Sequence, residues 1–167
     1  MDTSRRRFLQ GGFGEADARD AIRLPWSTDH TAFINGCTRC GDCIACCPQR
    51  IIRPGAGGYP ELDFSERECT FCGNCAHTCQ QPLFDLEHPP WQHRAQIGTD
   101  CLTHAGIVCQ NCKDACTASA IRFQFARGGI AKPVLDVDRC TGCGACIAPC
   151  PNDSIRMTTQ PESSTPL

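Results

Sequence analysis

The apolar residues of this chain occur in short runs between polar and glycine-rich segments. Residues 50–64 (RIIRPGAGGYPELDF) predict a strand, a glycine-rich turn and a second strand. Residues 121–137 (IRFQFARGGIAKPVLDV) predict the same arrangement around a Gly-Gly turn. No run approaches the roughly 18 apolar residues of a membrane-spanning helix. The pattern therefore predicts two short hairpins and no membrane span.

The amino-acid composition does not support a large hydrophobic core. Leu, Ile, Val and Phe together make up 30 of the 167 residues, a smaller share than ordinary packed domains contain. The formal net charge of −2, from 16 basic and 18 acidic residues, is also too small for a typical disordered chain. Another interaction must hold the chain together, and its 17 cysteines are the candidates.

So many cysteines indicate either a disulfide scaffold in an oxidising compartment or a metalloprotein in a reducing one. Residues 4–10 (SRRRFLQ) look like the start of a twin-arginine export signal. Residues 11–20 are glycine-rich and charged, whereas a signal peptide continues with about 7–15 apolar residues. We therefore expect a cytoplasmic protein whose cysteines bind metal.

Sixteen of the cysteines fall into four groups of four. Three groups have the spacing C-x2-C-x2-C-x3-C, and in the other one seven residues separate the first two cysteines. In chain order, these first to fourth motifs are Cys37, Cys40, Cys43 and Cys47; Cys69, Cys72, Cys75 and Cys79; Cys101, Cys109, Cys112 and Cys116; Cys140, Cys143, Cys146 and Cys150. Cys46 is the one cysteine outside them.

The motifs also show that the chain is a tandem repeat. A shift of 69 residues places the last three cysteines of the first motif on those of the third, and a shift of 71 places the second motif on the fourth. The exception is Cys37, whose counterpart is Gly106, and Cys101 is the replacement that we expect. The two halves are therefore copies of one unit that contains two motifs.

Three thiolates at positions i, i+3 and i+6 of a tightly turning loop can hold three corners of a cubane cluster. C-x2-C-x2-C-x3-C followed by proline is the bacterial [4Fe–4S] signature, and Pro48 and Pro151 follow the first and fourth motifs. A structural zinc site needs only two C-x2-C pairs, and disulfides between such close cysteines would close small strained rings. The spacing therefore predicts [4Fe–4S] clusters.

With these motifs, both halves resemble the bacterial ferredoxins that carry two [4Fe–4S] clusters. The resemblance implies an α+β fold of two tandem ferredoxin-like units with small cores organised by their cofactors. Residues 83–86 and 154–157 would be short strands that close the units. We expect an N-terminal tail, used for docking or disordered, over residues 1–32, a first unit over residues 33–88 and a linker over residues 89–95. A second unit would cover residues 96–158, and residues 159–167 would form a disordered tail.

The resemblance also implies which cysteines share a cluster, because the fourth cysteine of each motif crosses to the other motif of its unit. The resulting first to fourth sites are Cys37, Cys40, Cys43 and Cys79; Cys69, Cys72, Cys75 and Cys47; Cys101, Cys109, Cys112 and Cys150; Cys140, Cys143, Cys146 and Cys116. In the alternative, which some four-cluster ferredoxin-like subunits use, the outer motifs pair with each other. The hairpin inside each half favours the local pairing.

The third site is the irregular one. The seven-residue spacer after Cys101 is less preorganised than a C-x2-C turn, so this site is expected to lose its cluster first or to have an unusual potential. His104 lies in the spacer and is expected to face solvent, with ligation as the alternative. Cys46 is expected to be a small buried residue, with a role in cluster transfer as the alternative.

The sequence contains no other catalytic arrangement, such as a phosphate-binding glycine loop or a Ser–His–Asp set. Four clusters that each contribute −2 would bring the net charge to about −10, so nucleic acid is not an expected partner. Fully ligated clusters leave no open iron site for a substrate. We therefore expect an electron carrier or cluster donor and not an enzyme.

A closer resemblance narrows this function. The Arg-rich start, residues 23–26 (RLPW) and residues 55–60 (GAGGYP) are similar to those of the ferredoxin-type accessory proteins of the periplasmic nitrate reductase system. That family is cytoplasmic, and the resemblance implies maturation of the catalytic subunit before export, by loading or reduction of its cluster. The partner would be the precursor of that subunit. The alternative is a ferredoxin subunit that feeds electrons to a nitrate reductase or a related oxidoreductase.

Arg5, Arg6, Arg7 and Trp26 are the residues that we expect to dock on this precursor. The alternative is a disordered tail with Trp26 packed on the first unit. We also expect the cluster-free protein to lose most of its structure, because metal–thiolate bonds take over much of the role of a core.

Overall fold

The computed structural model describes residues 21–125 and 129–159, which form short helices and three two-stranded antiparallel sheets. The helices are α1 (His30–Gly36), α2 (Asp42–Ala45), α3 (Asn74–His77) and α4 (Asn111–Asp114). The strands are β1 (Ile52–Pro54), β2 (Pro60–Leu62), β3 (His93–Ile97), β4 (Ile121–Phe125), β5 (Ala131–Leu135) and β6 (Ile155–Thr159). The chain thus mixes helix and strand as predicted. None of the helices in this part of the chain is long and apolar enough to cross a membrane.

Both hairpins predicted from the sequence are present. β1 pairs with β2, with Ile52 opposite Leu62, and a glycine-rich 3-10 turn connects the two strands. β4 pairs with β5, with Ile121 opposite Leu135. Gly128, the first glycine of the predicted second turn, lies outside the described residues. In both hairpins the register places an apolar pair at the end next to the cysteine loops.

The strand predicted at residues 154–157 is present as β6, and its partner is β3. The two strands run antiparallel, with Ile155 opposite Ile97 and Met157 opposite Ala95. β3 begins at His93, inside the segment predicted as a linker. Part of that segment therefore forms the sheet of the second half.

The prediction of a strand at residues 83–86 is wrong, because Phe84 is the one residue of this segment that forms a β-bridge, and its partner is Ser27. The chain turns on one side of the bridge at Trp26, which has a φ of 61° and donates its backbone N–H to Pro90. On the other side α1 begins at His30. The ladder therefore has no room to extend beyond one pair.

Residues 21–32 pack against the first half. The carboxylate of Asp29 caps α1 by accepting the backbone N–H groups of Thr31 and Ala32, at 3.0 Å each. Phe33 on this helix is fully buried and contacts the edge of the Phe84 ring, with 6.1 Å between centroids. Leu24 is also buried, so this part of the predicted tail belongs to the fold.

Two small clusters of buried side chains form the core. The first consists of Leu24, Ile51, Ile52, Leu62, Phe64 and Cys75, and the second of Ala95, Cys112, Ile121, Cys146 and Ile155. Ile147 and Met157 pack against both clusters. Each core contains cysteine thiols, so the apolar packing and the thiol sites are parts of the same interior.

Candidate iron–sulfur centres

Three of the four cysteine loops share one backbone conformation. In three motifs the residues on both sides of the second cysteine have a positive φ, and two such residues curl the chain around a common space. The residues before that cysteine are Arg39, Phe71 and Gly142, and those after it are Gly41, Gly73 and Gly144. A side chain in this conformation costs about 1–2 kcal/mol, so surrounding contacts must hold Arg39 and Phe71 there.

A second backbone feature follows the fourth cysteine of three motifs. The third residue after it again has a positive φ, as seen at Arg50, Ser119 and Asp153. In the third and fourth motifs the next backbone N–H then donates to the fourth cysteine: Ala120 to Cys116 Sγ at 3.3 Å, and Ser154 to Cys150 Sγ at 3.4 Å. Such N–H donors stabilise a ligand thiolate.

The third motif departs from this pattern at one residue. Gln110 occupies the position after the second cysteine, where the other motifs have glycine, and its φ is −132°. Its loop therefore does not make the same left-handed turn. The third motif is thus irregular in its backbone as well as in its cysteine spacing.

The four cysteines of the predicted first site line one cavity of about 160 Å³: Cys37, Cys40, Cys43 and Cys79. Leu83 and Phe84 also line it. A water molecule in the liquid occupies about 30 Å³, so this space fits a group of several atoms and not a single ion.

The thiols of the second and fourth predicted sites line one smaller cavity each, of about 20 Å³. The second cavity is bordered by Cys47, Cys69, Cys72 and Cys75, and the fourth by Cys116, Cys140, Cys143 and Cys146. Each set combines three thiols of one motif with the fourth cysteine of the other motif in the same half. The structure thus brings together the quartets of the local pairing.

Cys112 lies within electrostatic reach of the other three thiols of the third site. Cys112 is buried, and after burial itself the nearby charges of Cys101, Cys109 and Cys150 contribute most to raising the pKa of its thiol, to about 11. The Cys101 segment is tied to the loop that follows Cys150 by two bonds. Asn152 Nδ2 donates to the Asp100 carbonyl at 2.6 Å, and the Gly98 N–H donates to the Ser154 carbonyl at 2.7 Å. These bonds bring Cys101 to the site in spite of its long spacer.

Burial makes several thiols of the quartets hard to ionise when no metal is bound. It is the largest cause that raises the pKa of Cys43 and Cys69 to about 11 and of Cys75 and Cys146 to about 12. Neighbouring cysteines raise these pKa values further, because several thiolates in one small space repel each other. A bound group must therefore bring positive charge, and its binding must release protons.

The donor sets fit a polynuclear cluster. In residues 21–125 and 129–159, no three His, Cys, Asp or Glu side chains are placed to bind a single metal ion. At the first site four thiols line a space of several atoms, and at the third and fourth sites backbone N–H groups are directed at sulfur. A [4Fe–4S] cluster uses donors of both kinds. The residues present thus fit this group.

Other residues singled out in the sequence lie outside the quartets. His104 is exposed, and its Nδ1 is 3.1 Å from the Thr99 carbonyl. Cys46 is half-buried, and its thiol donates to the Cys43 carbonyl at 3.4 Å. The Trp26 ring meets the edge of the Phe71 ring with 6.3 Å between centroids, whereas Arg5, Arg6 and Arg7 lie outside the described residues.

Sequence reasoning missed one residue of the third site. Thr103 is buried, and its Oγ1 lies 3.4 Å from Cys101 Sγ. A threonine in an irregular spacer carries no periodic or motif signal, because its position depends on how the spacer folds. Only the tertiary structure identifies this contact.

Comparison with known proteins agrees with this chemistry. The family described as "4Fe-4S dicluster domain" matches residues 107–154, which include α4 and the second hairpin. Together with the thiol quartets, this match defines a ferredoxin-type iron–sulfur protein that carries [4Fe–4S] clusters. The cofactor predicted from the sequence is thus confirmed.

The relatives identify the family more narrowly. The ferredoxin-type protein NapF of Haemophilus influenzae is 44% identical over 162 residues, which cover 92% of each chain. NapF of Escherichia coli is 42% identical over 93% of this chain and 94% of its own. The chain belongs to the NapF family, as its N-terminal and GAGGYP segments predicted. The methylamine utilization ferredoxin-type protein MauM of Methylorubrum extorquens is 29% identical over 81% of this chain and 70% of its own.

Proposed function

We propose that the four quartets hold four [4Fe–4S] clusters and that the protein acts in the cytoplasm on the precursor of the periplasmic nitrate reductase catalytic subunit. It would load or reduce the cluster of that subunit before export. One observation carries the cluster assignment: three separate cavities are each lined by one crossed quartet. Membership of the NapF family supports the nitrate reductase role.

The chain's residues prepare each site for a group that exchanges electrons. When bound, a [4Fe–4S] cluster takes up and releases one electron at a time. The protein supplies four thiols, excludes water from Cys75, Cys112 and Cys146, and directs backbone N–H groups at sulfur. Four thiolates complete the coordination of a cubane, so the proposed role is that of an electron carrier and not of an enzyme.

The proposal includes the division into two units. The first and second sites use cysteines of residues 33–88 alone, and the third and fourth sites use cysteines of residues 96–158 alone. The hairpin of each half packs on the cysteines of that half, because Ile52 and Leu62 share a core with Cys75, and Ile121 shares one with Cys146. Both contacts support two tandem two-cluster units.

Iron and acid-labile sulfide analysis of the anaerobically purified full chain tests the cluster count. Four sites predict about 16 irons and about 16 sulfides per chain, and Cys40→Ala is expected to lower each number by about four. Cys46→Ala is the matched control and should leave both numbers unchanged, since Cys46 belongs to no quartet. Zinc in place of iron would contradict the assignment.

Binding to the two forms of the catalytic subunit tests the maturation role. We expect capture of the unexported precursor and little capture of the mature enzyme. Replacing Arg5, Arg6 and Arg7 by Ala should weaken the complex. Replacing Arg67, Arg122 and Arg156, which are exposed elsewhere on the chain, removes the same charge and should not.

The electron-transfer alternative predicts a different result. Rapid re-oxidation of the reduced protein on mixing with active mature enzyme, without binding to the precursor, would support a subunit that feeds electrons to the enzyme. It would contradict the maturation role.

A further inference from the structure

The second and fourth cysteine loops, one from each half, are in direct contact. The backbone N–H of Cys69 donates to the carbonyl of Cys143 at 2.8 Å. Both residues are predicted ligands, of the second and the fourth site respectively. The two halves of the chain therefore meet at their thiol sites as well as through side chains of the core.

Trp91 contacts both of these loops. Its Nε1–H donates to the carbonyl of Thr141, which lies between Cys140 and Cys143. Its ring packs against that of Phe71, which lies between Cys69 and Cys72, with 5.3 Å between centroids. One side chain thus bridges the loop of the second site and the loop of the fourth.

The contact leaves no room for side chains in the fourth loop. A Cβ atom on Gly142 would overlap the His93 carbonyl and lie 2.5 Å from Trp91 Nε1. A Cβ atom on Gly144 would overlap the ring of Phe64, a residue of the first core. Both glycines therefore serve the close approach of the halves as well as the turn of their own loop.

The remaining sites adjoin this pair within their own halves. Cys43 of the first site packs against the core that contains Cys75 of the second site. Cys112 of the third site and Cys146 of the fourth are buried in the same core. Neighbouring sites therefore follow one another in the order first, second, fourth, third, which differs from their order in the sequence.

We propose that Trp91 is a positioning residue that holds the second site against the fourth, so that the four sites form one continuous row. The inference rests on the ligand assignment proposed above. The first and third sites stand at the ends of this row. Cys40 of the first site is exposed, as is Val108 next to Cys109 of the third.

A pair of matched variants tests the order of the sites. Cys40→Ala with Cys109→Ala removes a ligand from the first and third sites and keeps one cluster per half at the joined pair. Cys72→Ala with Cys143→Ala removes a ligand from the second and fourth sites and keeps one cluster per half at the ends. Both variants should contain about eight irons per chain.

Electron paramagnetic resonance of the two variants, fully reduced under anaerobic conditions with a low-potential chemical reductant, gives the readout. We expect a spectrum broadened by spin–spin interaction when the second and fourth sites remain, and two independent spectra when the first and third remain. Independent spectra in the variant that keeps the second and fourth sites, or spin–spin interaction of equal strength in both variants, would contradict the proposed order of the sites. An iron content far from eight would instead overturn the ligand assignment.

Substitution of Trp91 in the variant that keeps the second and fourth sites tests its own role. Trp91→Ala should abolish the spin–spin interaction while the iron content stays the same. Trp91→Phe keeps a ring but removes the bond to Thr141, and it should retain part of the interaction. Trp26→Ala is the control, because Trp26 also contacts Phe71 but bridges no second loop. Full interaction in Trp91→Ala, or equal loss in Trp26→Ala, would show that Trp91 does not position the sites.

Discussion

The hydroxyl group of Thr103 contacts Cys101, one of the four cysteines of the irregular third site. Thr103 is 3% exposed, and its Oγ1 lies 3.4 Å from Cys101 Sγ. A thiolate has no proton, so the hydroxyl must be the donor once Cys101 binds iron. Hydrogen bonds to ligand sulfur favour the reduced, more negative state of a cluster and raise its reduction potential.

Thr103→Val should therefore lower the reduction potential of one cluster by up to about 60 mV, a tenfold change in the one-electron equilibrium. A redox titration followed by electron paramagnetic resonance measures this shift. Thr103→Ser, which keeps the hydroxyl, should restore the potential. Thr28→Val is the control, because the Thr28 hydroxyl is buried without a hydrogen-bond partner. Unchanged potentials in Thr103→Val would contradict the role of this hydroxyl.

Substitution of two glycines can distinguish the free-energy cost of a left-handed backbone from the free-energy cost of a close contact. Gly41 and Gly144 occupy equivalent loop positions with φ values of 85° and 84°, but only at Gly144 would a Cβ meet another group, the Phe64 ring. Gly41→Ala should reduce stability by about 1–2 kcal/mol. Gly144→Ala should cost about 1–3 kcal/mol more because of overpacking. Thermal unfolding of the two cluster-loaded variants measures the difference, and equal losses would show that Phe64 can move aside.

At the scale of elements, hydrogen bonds between segments position Cys101, which lacks the regular C-x2-C spacing of the other motifs. The β3–β6 sheet brings the segment before Cys101 next to the Cys150 loop, and Asn152 then holds the Asp100 carbonyl. The spacer adds its own turn, since the His104 N–H donates to the Cys101 carbonyl at 2.8 Å. This site therefore depends on contacts that the other three do not need.

Asn152→Ala should loosen this segment and make the third cluster the first to be lost. On exposure to an iron chelator, we expect an early loss of about four irons per chain while the remaining iron leaves at the rate of the unsubstituted protein. Asn74→Ala, at another exposed asparagine close to a cysteine in the sequence, should not change the time course. Loss of all iron at one rate in Asn152→Ala would contradict a selective effect.

The elements also show where sequence reasoning succeeds. Both hairpins were predictable because each has short apolar runs on either side of a glycine-rich turn, which is a local signal. The strand at residues 83–86 was not predictable in its true form. Its length depends on the turn at Trp26 and on the start of α1, both about 55 residues away.

At the scale of the whole molecule, the thiols are part of the interior. Cys75 belongs to one core, and Cys112 and Cys146 belong to the other. The high pKa values of Cys75 and Cys146, about 12 through burial, show that these positions lack a compensating charge without iron. Folding and cluster binding should therefore be coupled.

Removal of the clusters with a chelator under reducing conditions should abolish most of the secondary and tertiary structure. Far-ultraviolet circular dichroism measures the loss of secondary structure, and the chemical-shift dispersion of the proton nuclear magnetic resonance spectrum measures the loss of tertiary structure. Anaerobic addition of iron and sulfide should restore the spectrum, which serves as the control for irreversible damage. A cluster-free protein with the dichroism of the loaded one would contradict the coupling.

The sequence by itself determined the cofactor class, the repeat and the family of this protein. These follow from local information, because a cubane needs three thiols at i, i+3 and i+6 of one loop. Only the tertiary structure decided how Cys101 reaches its site, that Thr103 contacts it, and that the second and fourth loops adjoin. Those features depend on residues far apart in the chain, such as Trp91 and Thr141, which packing brings together. The row of sites therefore follows their packing in space and not their order along the chain.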